Sequence, residues 1–486
     1  MTPKDLIPII PELILVLAAC LVLVVEPFLG KDKTASVAIA LAALLASVVV
    51  ALGLSGREQV AFSQMIVLND YAVFFKVLFG VAGALTVLMS PRYLETAGRH
   101  MGEYYVLLLF AVVGMDIMAA SRDLIAFYVG LELMAVSSYL LAGFLRYQAR
   151  SNEAAMKYFL TGAFASTITL YGVSLVYGFT GTTNYEQAGA ALTAGGPTTG
   201  VAFATALVLV GMGFKVSVAP FHMWTPDVYT GAPTPVAAFF SVGPKAAGFS
   251  AILMVFVTVF AVSSPTWSVL FIVLSILTMF VGNAFALAQK NIKRMLAYSS
   301  IAHVGYLLAG LGALGRSGGD YLAGESILLY LAAYTFMNLG AFGILAYLKT
   351  QQPASFKYSL ADFAGLARRS PWAAVLMALF MFSLTGIPGT AGFIGKFYLF
   401  NAVVQADLVW LAVIAVLFSA VSAYYYLRVI MYMFFREPEV EFGTKEPIGG
   451  PLAASLALCA AGVVLIGLMP SWVWNAAQGS FGNLFG

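Results

Sequence analysis

Three lysines lie inside stretches of the chain otherwise built from apolar residues: Lys215, Lys245 and Lys396. Glu132 is equally isolated, in FYVGLELMAVSSYLL, and His303 sits in AYSSIAHVGYLL. A cation placed centrally in hydrocarbon costs roughly 2.5–3.5 kcal/mol on insertion scales, so buried charges of this kind mark ion or proton pathways. Apolar surroundings disfavour a charged amine, and a carboxylate nearby restores it. At an effective dielectric of about 20, charges about 8 Å apart interact by roughly 2 kcal/mol, equivalent to about 1.5 pH units. Moving or neutralising Glu132 would then switch Lys215 between holding and releasing a proton. Glu132, Lys215, Lys245 and Lys396 are therefore read as a proton relay. His303, which titrates near neutral pH, is a further relay candidate. The competing readings are a structural ion pair for Glu132 and Lys245, and a core histidine bonded to a neighbour for His303.

Other ionisable groups are weaker candidates. Lys76 lies early in its apolar segment, and its side chain is expected to snorkel to the interface. Asp116 is expected near the outer interface, and Glu12 is ambiguous. His222 is expected to support a bend. Two patterns are decoys. Gly310–Gly315 fits GxGxxG but ends an apolar helix with no strand before it, which argues against a dinucleotide site. Leu17-Ala18-Ala19-Cys20 resembles a lipoprotein cleavage box, but its flanks fit an uncleaved span. Cys20 and Cys459 are far apart and form no CxxC, so neither a metal site nor a disulfide framework follows. No cysteine cluster or histidine pair suggests a redox centre.

The elements that would position these residues are membrane helices. The chain has 486 residues, is 61% hydrophobic and only 10% charged, with a net charge of +3. Soluble domains carry about 25% charged residues. The fold class is all-α polytopic, since many apolar runs can cross hydrocarbon about 30 Å thick. The small charge gives no reason to expect nucleic acid. Fourteen spans are predicted: 7–29, 34–54, 70–91, 104–121, 124–145, 154–178, 200–219, 234–262, 267–289, 294–314, 322–348, 371–404, 407–432 and 450–473. Polar connections are expected over 180–199, 349–370 and 433–449. Of the 25 Lys and Arg, seventeen, Lys31 and Lys445 among them, fall in alternate connections or at the span ends beside them, four on the opposite side, and four (Lys76, Lys215, Lys245 and Lys396) deeper within spans. The positive-inside rule then places both termini outside the cytoplasm.

Span 7 meets Pro220, and span 12 contains SLTGIPGTAGFIGK. Both read as broken helices, which a membrane tolerates only against protein or a wet cavity. Interrupted helices at matching places in two repeats point to a transport site. The expected organisation is one membrane domain, 1–486, with three N-terminal helices (1–100) and a first five-helix unit (104–262, spans 4–8). An inverted second unit (267–432, spans 9–13) and a C-terminal helix (450–486) complete it. Tyr139–Gly143 recurring as Tyr306–Gly310 gives modest support for the repeat.

FKVSVAPFHMWTPDVYTGAPTPV (214–236), SLTGIPGTAGFIGKFYLF (383–400) and LAYSSIAHVGYLL (296–308) resemble the antiporter-like membrane subunits of respiratory complex I. The resemblance extends over nearly the whole chain. It implies a fourteen-helix fold with two inverted five-helix units, and coupled proton translocation in which Glu132, Lys215, Lys245 and Lys396 match the family's key glutamate and lysines. It departs at Gly389, where the family often has a second proline. It also implies a bacterial inner membrane, with NADH, FMN, iron–sulfur clusters and quinone handled by partner subunits and no cofactor in this chain. Its partners would be other membrane and peripheral subunits and the lipid bilayer. The family member with a long C-terminal lateral helix is not expected, because the chain ends soon after span 14. Two other readings stay open: a subunit of a multi-subunit Na+/H+ antiporter or membrane-bound hydrogenase, and a stand-alone solute transporter.

Overall fold

The computed structural model describes residues 3–30, 32–316, 321–352, 355–438 and 448–485. Lys31 and Lys445, counted among the inside cations, lie outside them. Among the described residues thirteen helices are long and apolar enough to cross a membrane: Asp5–Phe28, Thr34–Gly53, Asp70–Thr96, Glu103–Ala120, Leu124–Ala142, Ala149–Thr180, Thr199–Val216, Thr234–Val259, Ala261–Ala288, Ile292–Leu314, Leu322–Gln351, Val409–Phe435 and Gly450–Leu468. They correspond in order to spans 1–11, 13 and 14. Span 12 is the remaining crossing, made by two half-helices, Pro371–Thr385 and Ala391–Gln405. Helices dominate because a hydrocarbon medium offers no partners to the backbone, so each span must satisfy its own amides. Their ends are closed locally. Asn69, Asp123, Thr198 and Asn291 each accept a hydrogen bond from an amide in the first turn of spans 3, 5, 7 and 10.

The centre of the bundle is formed by spans 8, 10 and 11, whose residues are almost all buried. Spans 6 and 13 carry an exposed apolar face, including Phe159, Phe164, Val413 and Leu417, as surfaces turned to lipid do. The two predicted units repeat one packing device. A Cβ on Gly114 of span 4 would stand 2.5 Å from the Met134 amide of span 5, and one on Gly282 of span 9 would stand 2.5 Å from the Ala302 amide of span 10. Small residues let these paired backbones touch.

Several elements were not expected from the sequence. A hairpin, Gln59–Ala61 with Ile66–Leu68, pairs Val60 with Val67 between spans 2 and 3. Within the connection expected over 180–199, Tyr185–Gly195 is a helix capped by Asn184, packed by Tyr185, Ala188 and Leu192. A final helix, Ser471–Phe485, follows span 14. Lys76 corrects its expectation. Its amine does not reach an interface but is fully buried, 2.8 Å from Glu12 and 2.7 Å from the Pro8 carbonyl. A carboxylate on span 1 meets it inside, so snorkelling is unnecessary. Asp116 is buried as well, with neither oxygen hydrogen-bonded. Lys293, assigned by sequence to a connection, is buried in the first turn of span 10.

Candidate functional site: a buried line of amines and hydroxyls

Span 7 stops at Val216 because Ser217 takes a left-handed conformation (φ 71°). The Val218 amide then returns to the Gly213 carbonyl at 2.8 Å. The short helix Trp224–Gly231 is pinned back onto this end. Trp224 Nε1 donates to the Phe214 carbonyl at 2.9 Å, and Thr225 Oγ1 to Ser217 Oγ at 2.7 Å. The Trp224 ring stacks on Tyr158 of span 6 at 4.3 Å. The break is thus a built corner, and Lys215 sits in its last helical turn.

The second break lies between the half-helices of span 12. Gly386 (φ 93°) and Gly389 (φ 86°) occupy backbone regions that L side chains avoid. Gly392 begins the second half against Ser383, whose carbonyl would stand 1.8 Å from an added Cβ. Lys396 belongs to the second half but folds back onto the first. Its Nζ donates to the Leu384 and Thr385 carbonyls at 3.0 and 2.8 Å and to Ser419 Oγ of span 13 at 2.8 Å. A cation on the last carbonyls of a helix answers both the unsatisfied acceptors and the helix dipole.

The four amine- or imidazole-bearing residues are all withdrawn from solvent: Lys215 is 5% exposed, Lys245 2%, Lys396 5% and His303 2%. Among the described residues none of the three lysines has a carboxylate within ion-pair distance. Their partners are neutral. Lys215 Nζ lies 5.5 Å from the Tyr139 ring centre and 5.6 Å from that of Tyr158. Lys245, from span 8, bonds Ser300 of span 10 and lies 5.7 Å from the Tyr229 ring. Lys396 lies 5.3 Å from the Tyr306 ring. Aromatic faces attract a cation without neutralising it. Glu132 is half-buried, bonded to Ser166, whose hydroxyl is 3.0 Å from that of Tyr128.

His303 stands between the second and third lysines. Its Nδ1 is 2.5 Å from the Tyr330 hydroxyl and its Nε2 is 3.1 Å from that of Tyr426. Tyr426 in turn bonds Ser299, the neighbour of the Ser300 that holds Lys245. On the other side His303 meets the Tyr306 ring edge-on at 5.6 Å, and Tyr306 faces Lys396. Among the described residues the buried hydroxyls of Tyr229, Tyr306 and Tyr334 make no hydrogen bond of ordinary geometry, but polar side chains of other spans stand near them: Ser300 near Tyr229 and Tyr334, and Ser419 near Tyr306. Tyrosines and serines on other spans complete this line. Sequence reading missed Tyr139, Tyr158, Tyr229, Ser300, Tyr330, Tyr426 and Ser419, since nothing in a single span signals which hydroxyl faces an amine.

Among the described residues no group of three or more His, Cys, Asp or Glu could hold a metal ion. Cys20 and Cys459 are free thiols. His222 lies in the connection between the break and the short helix, partly buried.

A buried, carboxylate-poor row of amines across two broken helices defines a proton- or cation-handling membrane module, and the comparisons agree. Residues 121–422 match the family model described as NADH:quinone oxidoreductase/Mrp antiporter, TM, and the chain belongs to that family. Within it, the relatives include NADH-quinone oxidoreductase subunit N of Trichlorobacter lovleyi, 46% identical over 97% of this chain and 96% of the relative. NADH-quinone oxidoreductase subunit N 2 of Rhizobium meliloti is 46% identical with the same coverage. Among solved structures, a chain of respiratory complex I from Thermus thermophilus with bound aureothin superposes with a TM-score of 0.80. It is 33% identical over 97% of this chain and 100% of that one.

Proposed function

We propose that this chain translocates protons as a membrane subunit of NADH:quinone oxidoreductase, in the place its subunit N relatives hold. The observation that carries the reading is the set of three buried amines with only neutral partners. An amine paired tightly with a carboxylate would keep its proton. One held by rings, carbonyls and hydroxyls can give it up when the local field changes. Glu132 supplies that field to Lys215. Lys245 is the middle station, and protons pass onward through Ser300, Ser299, Tyr426 and His303 toward Lys396 beside the second break.

The energy comes from elsewhere. NADH oxidation, the flavin, the iron–sulfur clusters and quinone reduction belong to partner subunits, both membrane and peripheral. The domain plan remains three helices (1–100), two inverted five-helix units (104–262 and 267–432) and a terminal helix (450–486), in a bacterial inner membrane with both termini periplasmic. The family description also covers Mrp antiporters. Relatives named subunit N, matched over nearly their full length, favour the oxidoreductase. Two measurements test the proposal. Purifying the native complex should recover flavin and iron–sulfur subunits with this chain. In that complex reconstituted into vesicles, Lys215→Ala should lower proton uptake per NADH about tenfold or more, the scale of losing one proton-transfer group. Wild-type pumping by that variant would defeat the relay.

A further inference from the structure

The connections between spans 3 and 4, 5 and 6, 7 and 8, 9 and 10, and 11 and 12 share one face of the bundle. Together with adjoining helix ends they enclose a cavity of about 640 Å³. Four cationic residues line it, Arg150, Lys293, Lys349 and Lys357, and no Asp or Glu does among the described residues. Lys293 is buried (2% exposed), its amine held by the Ala232 carbonyl at 2.6 Å and the Thr230 carbonyl at 3.5 Å. The Tyr358 ring lies between two of the cations, 5.2 Å from Lys293 Nζ and 5.9 Å from Lys349 Nζ. Lys349 also donates to the Phe356 carbonyl at 3.1 Å. Asp362, close in sequence, is not part of the lining, and its carboxylate accepts from the Lys357 and Ser359 amides at 3.0 and 2.8 Å.

Basic side chains on a wall that carries no carboxylate among the described residues repel a hydrated proton. The same arrangement attracts an anion, and low-dielectric walls concentrate the field. The N-terminal end of span 10, beginning at Asn291 and Ile292, borders the cavity and adds the positive pole of a helix. Lysine ammonium and arginine guanidinium groups are the donors that recognise phosphate oxygens. The cavity also adjoins the entry to span 8, where Thr234 Oγ1 is 2.9 Å from the Tyr358 hydroxyl. Lys245 stands further along that span. We infer that this cavity is a binding site for a phosphate-bearing anion, supplied as inorganic phosphate or as the headgroup of an anionic phospholipid.

The test is protection from acylation in the whole purified complex. Lys349 and Lys357 are modified with an amine-reactive ester and read by peptide mass spectrometry, with exposed Lys290 as internal reference. One arm adds inorganic phosphate alone to complex stripped of lipid, against chloride at matched ionic strength. The other compares nanodiscs of phosphatidylcholine with nanodiscs containing phosphatidylglycerol, without phosphate. Occupancy should slow acylation of both lysines about fivefold at a ligand concentration near four times Kd, and Arg150→Gln, a surface change, should weaken the protection severalfold. Protection by phosphate assigns the site to the free anion; protection by phosphatidylglycerol alone assigns it to a headgroup. If neither arm slows the reaction beyond its control, or Arg150→Gln protects as well as wild type, the inference is overturned.

Discussion

Each of the two broken helices carries a buried lysine, and the two are held by different parts. At the first, Lys215 stands in the last turn of its helix and faces two tyrosine rings. At the second, Lys396 reaches back across the break and is held by two carbonyls and a hydroxyl. The surroundings differ as well. Lys215 lies among spans 5 and 6 and the Trp224 corner. Lys396 lines a largely apolar groove of about 710 Å³ between span 12 and span 13. Lys396 has fixed acceptors for its hydrogen bonds, whereas Lys215 faces aromatic rings. An amine thus stands beside each break, but the two are not held equally firmly.

Substitutions can break or sharpen this contrast. Lys245 stands on span 8 and bonds Ser300 of span 10, joining the two expected units, so its loss should have the widest effect. Lys245→Arg keeps a charge that cannot be given up at neutral pH. It should lower proton pumping by the reconstituted complex about tenfold or more, as Lys245→Ala should. Full pumping by the arginine variant would show that charge alone matters there. His303→Ala, measured the same way, should cost less, by several-fold, because water can bridge Tyr330 and Tyr426 across the space it leaves. Tyr426→Phe in that background should then remove what remains. Glu132→Gln should act on the first break only. A loss of roughly 2 kcal/mol of interaction predicts a pumping rate lowered up to about thirtyfold if Lys215 limits the cycle, with a shifted pH profile. Lys396→Ala should change the rate without that shift, and an identical shift in both variants would erase the distinction. The smallest effect belongs to stability. Gly392→Ala pushes a methyl into the Ser383 carbonyl and should destabilise the chain by about 1–3 kcal/mol, read as a lower unfolding temperature in detergent. An unchanged melting point would mean the second break is pliable.

Much of this was legible in the residues themselves. Spans announce themselves because apolar length is a physical requirement, and the three relay lysines stand out because burial of a cation is costly. Both breaks were visible as glycine and proline in apolar runs. Partners were not visible, because contacts between spans join residues that are remote in the chain. Ser300 meets Lys245 across 55 positions, and Tyr426 meets His303 across 123. The same blindness made Lys76 look like an interfacial residue, since its ion partner Glu12 is on span 1. Lys293 was misplaced for a subtler reason: two residues past the Asn291 cap it belongs to a helix, though its charge suggested a connection. The helix Tyr185–Gly195 did carry a signal, an Asn cap and buried residues at helical spacing, hidden by its small and polar composition.

Asp227 belongs to the short helix after the first break, yet its two oxygens serve different units. One lies 2.8 Å from Lys157 on span 6 and the other 2.6 Å from Arg294 on span 10. A single side chain thereby staples span 6 to span 10, which fall in the two expected five-helix units. Any swing of one of these spans against the other must stretch that staple or carry its partner along.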